Sequence, residues 1–583
     1  MKKYVLILLI FCLLFGSSYA LDKINYTIDM AKPDSHFFEV SLTLNNISGG
    51  SVDLLIPKMV PGTYHHANYA KDIQEFSAFN NEQKPLKWEK IDLHTWRVYT
   101  DKSGSLTVKY RKYGSEFSIM DSFLNSQKAF IFEASTLMYV KDKLEIPCVL
   151  NLKYPSAWKA LTTVEKQSEY TYIAPTYHYL VDRPIMLGNI KEIEFKYKGA
   201  EYLIALDGDL LIDAEKFSAG VEKIAKKEID MMGGVPVKKY IFFYLYGPQR
   251  GGGLEHLDCA VMAINPYQSR NFKGVYGLTA HEFFHLWNDK CIYAKNIYPF
   301  RYNDTDYTRL YWLFEGFTSY YDSIITVRCG TDTRDEFYQD LSRSLFRMIE
   351  KTPSTKYISA EEASFTGFYF SPQNYKENQL DFYAKGSLIA LVADLNIRHK
   401  TQNKKSLDDV MRYLYQNYGL KDKGVAEGEM EEIFKKATGV NCKDIFKDYV
   451  SGTKKVQIDK YLSYAGLKLE VKENNVGAYL GIEIGGAWNG VEISYIERDS
   501  PAYKAGLSVG DTIVAVNGLR VNERNFINNF KPYEKVELTL FRNNVLMTKQ
   551  VFPEKRGDIE YKIVEIKNPT KLQKEILKSW LEG

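Results

Sequence analysis

From Ile24 to about Ile193 apolar and polar residues alternate in short runs, as in Phe37-Phe38-Glu39-Val40-Ser41-Leu42-Thr43-Leu44 and Leu106-Thr107-Val108-Lys109-Tyr110. A period of two sends neighbouring side chains to opposite faces of a strand, one toward a core and one toward water. Turn formers such as Asn45-Asn46 and Ser48-Gly49-Gly50 separate the runs, which predicts an antiparallel β-sandwich. The pattern shifts near Tyr202. Lys239 to Tyr246 reads as a buried strand, and the turn Gly247-Pro248-Gln249-Arg250-Gly251-Gly252-Gly253 leads into Leu254 to Ala263. Glycines before an edge strand allow an extended peptide backbone to approach closely. After Gly330 the spacing becomes helical, including Leu388 to Ile397 and Ser406 to Tyr418, with apolar positions that read as core. Short strands return from about Lys468 to Pro553, and Pro569 to Leu581 predicts a short packed helix at the end.

A chain of 583 residues is too long for one core, and three or four domains are expected. Lys+Arg 76 against Asp+Glu 73 is close to balance, and no long basic run stands out, which argues against a nucleic-acid partner. Met1-Lys2-Lys3, the apolar run Tyr4 to Phe15 and Gly16-Ser17-Ser18-Tyr19-Ala20 are the three parts of a secretory signal peptide cleaved after Ala20. The run is too short to span a bilayer, which needs about twenty residues, so the mature chain is expected to have no transmembrane segment and to be periplasmic or secreted. An uncleaved anchor is the competing reading. Cys148, Cys259, Cys291, Cys329 and Cys442 are scattered, odd in number and free of any C-x-x-C pair, so they predict neither a disulfide framework nor a thiolate zinc site.

The chemistry concentrates in His281-Glu282-Phe283-Phe284-His285, an H-E-x-x-H pattern within the apolar stretch Tyr276 to Trp287. On a helix, positions i and i+4 share a face, so both imidazoles reach one metal ion while Glu282 points beside it. In a chain with nine His the pattern arises by chance about once in a hundred such chains. A catalytic zinc takes three protein ligands, and the best third candidate is Glu315 in Tyr311-Trp312-Leu313-Phe314-Glu315-Gly316-Phe317-Thr318. A carboxylate inside so apolar a helix needs a partner. Gly316 beside it weakens the helix by about 1 kcal/mol, as expected where another helix or a ligand approaches the backbone. His65-His66 is a weaker metal candidate, because adjacent strand residues face opposite ways. The triple glycine lacks the Gly-Lys-Ser/Thr ending of a phosphate loop.

Four motifs in order, Gly252-Gly253-Leu254-Glu255-His256, His281 to His285, Trp312 to Thr318, and Tyr383-Ala384-Lys385-Gly386, resemble the signatures of zinc aminopeptidases whose third ligand is a glutamate. Within that clan the chain most resembles the glycyl aminopeptidase family. Ile56-Pro57-Lys58-Met59-Val60-Pro61-Gly62-Thr63-Tyr64 is similar to the family's N-terminal signature, with Met59 where an aromatic residue is expected. Tyr479-Leu480-Gly481-Ile482, Ser500 to Leu507, Val509 to Ile513 and Val516-Asn517-Gly518 resemble a PDZ domain, whose backbone amides receive a peptide's C-terminal carboxylate.

The resemblance covers nearly all of the mature chain and implies a multidomain α+β architecture. Its expected parts are a signal peptide (1–20), an N-terminal β-sandwich (21–197), a thermolysin-like catalytic domain (198–335), an α-helical domain (336–462), a PDZ domain (463–555) and a C-terminal tail (556–583). It further implies one zinc ion held by His281, His285 and Glu315, with Glu282 as general base. Tyr383 is expected to donate to the tetrahedral oxyanion. Glu255, with Gly252 and Gly253 just before it, is expected to bind the substrate, Glu255 capturing its free α-amino group. A preference for N-terminal Gly or Ala belongs to the same expectation. Two other readings stay open: a PDZ-bearing peptide-binding scaffold with an inactive peptidase domain, and a zinc endopeptidase in which Glu255 turns away from the cleft.

Overall fold

The computed structural model describes residues 21–583 apart from 48, 64–65, 102–103, 209–211, 248–251, 266–271, 305–306, 347–351 and 368–377. The expected leader and His65 lie outside the described residues. The chain divides into two compact units, one of residues 1–308, 321–332 and 408–433, the other of residues 309–320, 333–407 and 434–583.

The first unit begins with the predicted alternation. Phe37–Asn45 buries every second residue, and Ile24–Asp29 does the same. They lie in a seven-stranded sheet, and Thr95–Tyr99 lies in a separate four-stranded one. Phe76 of the first sheet stacks on Trp96 of the second at 5.7 Å and on Tyr110 of its own at 6.5 Å, so aromatic rings fill the space between the layers. The sandwich is not wholly antiparallel. Ile24–Asp29 runs parallel to Cys148–Lys153, a pairing open to strands so far apart in sequence because the intervening chain supplies the long crossover that parallel strands need.

A five-stranded sheet follows, built from β1 (Ile190–Tyr197), β2 (Ala200–Asp207), β3 (Lys239–Tyr246), β4 (Gly252–Glu255) and β5 (Cys259–Ile264) in the order β1-β2-β3-β5-β4. β2, β3 and β5 are mutually parallel, and β4 is an antiparallel edge. Six consecutive residues of β3 are buried, as expected of a central parallel strand covered on both faces. The crossover from β2 to β3 is helix α1 (Ala214–Met232), which Asp213 caps by accepting from Lys216 N and Gly233 ends in the left-handed conformation at φ 82°. Its buried stripe includes Phe217, Val221, Ile224 and Ile229. Helix α2 (Lys273–Phe284) packs beside it, with Tyr276 stacked on Phe217 at 5.7 Å. The hydroxyls of Thr279 and Tyr244 of β3 meet at 2.7 Å. All five described cysteines are free thiols.

The second unit is helical and then β-rich. Helix α4 (Phe382–Lys400) is buried on almost every side. Its Asp394, fully buried, accepts from Arg398 Nε at 3.0 Å, Leu407 N at 2.8 Å and the Tyr320 hydroxyl at 2.6 Å. Strands Ile482–Ala487, Gly490–Ile496, Thr512–Val516, Val536–Arg542 and Val545–Val551 enclose Val491, Ile493, Ile513, Leu538 and Leu540, a core of its own in the segment expected to be a PDZ domain. Arg542 clamps the buried Asp511 through two bonds of 2.7 Å, tying the last hairpin to the Val-Gly-Asp turn. Leu467–Tyr479 pairs with Glu554–Glu565 as a ribbon beside this core, joining strands about ninety residues apart that no local signal links. Helix α5 (Lys571–Glu582) closes the chain with a capping box between Thr570 and Gln573 and buries Ile576, Trp580 and Leu581. Among the described residues no helix is long and apolar enough to cross a membrane.

Candidate active site

The last turn of α2 carries His281 and Glu282, and His285 caps it. The two imidazoles lie 4.8 Å apart between centroids. His285 Nδ1 is 2.9 Å from the carbonyl oxygen of Asn288, an atom that can only accept, so Nδ1 carries the proton and Nε2 is the nitrogen whose lone pair a metal would take. His281 Nδ1 is 3.1 Å from Asp322 Oδ2, the carboxylate–histidine pairing that orients a metal-ligating ring.

Edge strand β4 lies directly on the general-base candidate. A β-carbon on Gly253 would come within 2.2 Å of Glu282 Oε1 and 2.4 Å of its Cγ, so any larger residue there would have to displace the Glu282 side chain. Two residues on, Glu255 is 5% exposed, and its Oε1 has no hydrogen-bond partner. Donor atoms of Glu255, Glu282 and His285 all lie within 4.8 Å of one another. The Pro61-Gly62-Thr63 turn of the N-terminal domain presses on the same carboxylate. Gly62, at φ 81°, would place a β-carbon 2.6 Å from Glu255 Oε1. Gly252 opens the strand opposite Ala263.

His256, next along the chain, belongs to a different group. Its Nδ1 is 3.1 Å from Asp182 Oδ1, and its ring lies 6.4 Å from that of Phe132. Asp182 also accepts from Leu257 N at 2.9 Å and lies 3.5 Å from the Lys290 ammonium. Burial would raise the Asp182 pKa, but the charge of Lys290 and the bond from His256 hold it well below the usual carboxylate range. Burial likewise works against the Lys290 charge, and Asp182, Glu255 and Asp289 more than compensate, keeping it a firm cation. His256 therefore braces the strand end that carries Glu255.

Glu315 stands on helix α3 (Tyr311–Arg328), 3% exposed among Trp312, Phe314 and Phe317. It precedes Asp322 by two helical turns on the same unbroken helix, so the helix face that Asp322 turns toward His281 also carries Glu315. Asp381 caps α4 by accepting from Tyr383 N at 2.9 Å and Ala384 N at 3.2 Å. Burial raises the Asp381 pKa, the two amides oppose this, and the charge of Glu315 raises it further. Tyr383 is half-buried and stacks on Phe382 at 4.9 Å.

Two imidazoles and a carboxylate are the donor set that suits zinc, and His281, His285 and Glu315 supply it. Both rings have their second nitrogen engaged, as the fit requires. Asp322, Asn288 and Lys290 are the participants that motif reading missed, and of these only Asp322 had a sequence signal, its seven-residue spacing from Glu315; Gly62 lies in the N-terminal signature, which did not show its approach to Glu255. His66, the described member of the His65-His66 pair, is exposed.

Residues 25–189 match the model of the peptidase M61 N-terminal domain, residues 274–389 that of M61 glycyl aminopeptidase, and residues 492–528 that of a PDZ domain. Among solved structures, the aminopeptidase N family protein from Idiomarina loihiensis is 25% identical and superposes with a TM-score of 0.88, covering 96% of this chain and 100% of that one. An M1 zinc metallopeptidase from Deinococcus radiodurans is 12% identical, with a TM-score of 0.46 over 76% of this chain and 96% of its own. No curated protein matches the sequence. The segment holding His281 to Tyr383 is a metallopeptidase domain, and the chain joins it to a PDZ domain.

Proposed function

We propose that this chain, related to the M61 glycyl aminopeptidases through both its N-terminal and its catalytic segment, is an exported zinc aminopeptidase that removes the first residue of peptides. The observation that carries the reading is Glu255, a buried carboxylate whose Oε1 lacks a partner beside Glu282 and His285. An α-ammonium would satisfy that oxygen, and an internal peptide bond has none to offer. The peptidase segment retains every candidate group, which favours an enzyme over a scaffold.

His281, His285 and Glu315 would hold zinc, which lowers the pKa of water to about 7 and polarises a carbonyl. Glu255 binds the substrate's ammonium, and β4, an edge strand with glycines at its start, takes the peptide backbone as an added strand. Glu282, held against Gly253, accepts the proton of the attacking water and returns it to the leaving amine. Tyr383 donates its hydroxyl to the oxygen that gains charge as the carbonyl becomes tetrahedral. Close approach of the Gly62 turn to Glu255 leaves little room beside the amine, which supports a preference for glycine or alanine.

The test is release of N-terminal residues from free and N-acetylated peptides by wild type and Glu282→Gln, with and without chelator. The proposal expects cleavage that requires a free amine, the ion and Glu282. Turnover of acetylated peptides would make the protein an endopeptidase, and no turnover by folded, zinc-loaded protein would leave the peptide-binding reading.

A further inference from the structure

Glu255, Glu282 and His285 bring two carboxylate oxygens and one imidazole nitrogen within 4.8 Å of one another. That separation is what one divalent ion allows, since ligand distances of about 2.0–2.4 Å put opposed donors about 4–4.8 Å apart. Glu255 is 5% exposed, Glu282 4% and His285 1%, so water is a poor substitute for a ligand at any of them. Glu255 Oε1 has no partner. The Lys290 ammonium, whose charge Glu255 also feels, makes its ion pairs with Asp182 at 3.5 Å and Asp289 at 4.0 Å.

His285 belongs to two donor sets at once, this one and the set with His281 and Glu315. With Nδ1 bound to the carbonyl of Asn288, the ring has one lone pair, at Nε2, and can serve one ion only. An ion held with His281 and Glu315 therefore leaves the other position with its two carboxylates, a weaker and harder site.

We propose that Glu255 and Glu282 form a second divalent-cation position, with His285 as third donor when that ring is not otherwise coordinated, and that filling it inhibits the enzyme. The inference rests on the aminopeptidase reading for its consequence. A cation there occupies the amine anchor and the general base together, so excess metal competes with the substrate's ammonium for the same oxygen. Zinc and manganese fit the mixed oxygen and nitrogen donors.

The experiment is a calorimetric titration of metal-stripped wild type and Glu255→Gln with zinc, each checked for its thermal transition, and repeated on wild type with glycinamide, which offers a free ammonium and no peptide bond. Wild type is expected to bind two ions, the second about tenfold or more weakly than the first, and Glu255→Gln one. Glycinamide should weaken the second event and leave the first in place, a result that needs no variant. A second ion bound equally by both proteins, or indifferent to glycinamide, overturns the proposal. One ion in wild type overturns it while leaving the aminopeptidase reading intact, and no ion overturns both.

Discussion

Gly386 of α4 lies backbone to backbone against Gly316 of α3. A β-carbon on Gly386 would sit 2.7 Å from Gly316 Cα and 2.1 Å from the carbonyl oxygen of Trp312. Each glycine flanks a candidate functional residue, Gly316 following Glu315 and Gly386 coming three residues after Tyr383. The contact therefore sets the distance between the proposed third ligand and the proposed oxyanion donor. Gly386→Ala should push the helices apart at a cost of about 1–3 kcal/mol or more, since the clash is with backbone. Denaturant unfolding would show the loss, and kcat should fall further than the change in folded fraction explains.

Gly253 makes a sharper test of the general base. Gly253→Ala would displace the Glu282 carboxylate, so turnover should fall while the ion stays bound. Glu282→Gln should lower kcat by about 10²–10⁴ or more with little change in metal content. Equal turnover by Glu282→Gln and wild type would remove Glu282 from the chemistry.

Asp322 should act through His281. Without the carboxylate at 3.1 Å the imidazole loses its orienting partner, and metal affinity should drop about 10–100-fold in Asp322→Asn. Competition against a chelator of known affinity reads this directly, and unchanged affinity would make the bond incidental.

Glu133 gives the fold a pH dependence of its own. It is wholly buried, and burial, aided by the charge of Asp182, raises its pKa well above the ordinary value against the opposing pull of its own backbone amide. The unfolded chain releases this proton near pH 4.3, whereas the folded protein keeps it to higher pH. Between those values the native state binds more protons, so this group makes stability fall as pH rises, by up to about 1.4 kcal/mol per unit. The difference in urea stability between wild type and Glu133→Gln should therefore shift in favour of the variant from about pH 5 to about pH 8. A difference that does not change with pH would show that Glu133 ionises normally.

What could be read from the chain alone follows from local geometry. The two-residue period of Phe37–Asn45 and the four-residue step from His281 to His285 each depend on neighbours a few bonds away, and so do the glycines before Leu254. The parallel pairing of Ile24–Asp29 with Cys148–Lys153, the return strand Glu554–Glu565 and the approach of Gly62 to Glu255 join segments about 90 to 190 residues apart. No periodicity records such meetings, because they are decided by which surfaces bury each other once the elements exist. The sequence by itself therefore determined the chemical groups and the helix that carries two of them. Only the tertiary structure decided that Glu255 would be left with an unsatisfied oxygen beside Glu282 and His285, since an orphaned polar atom is created by everything packed around it.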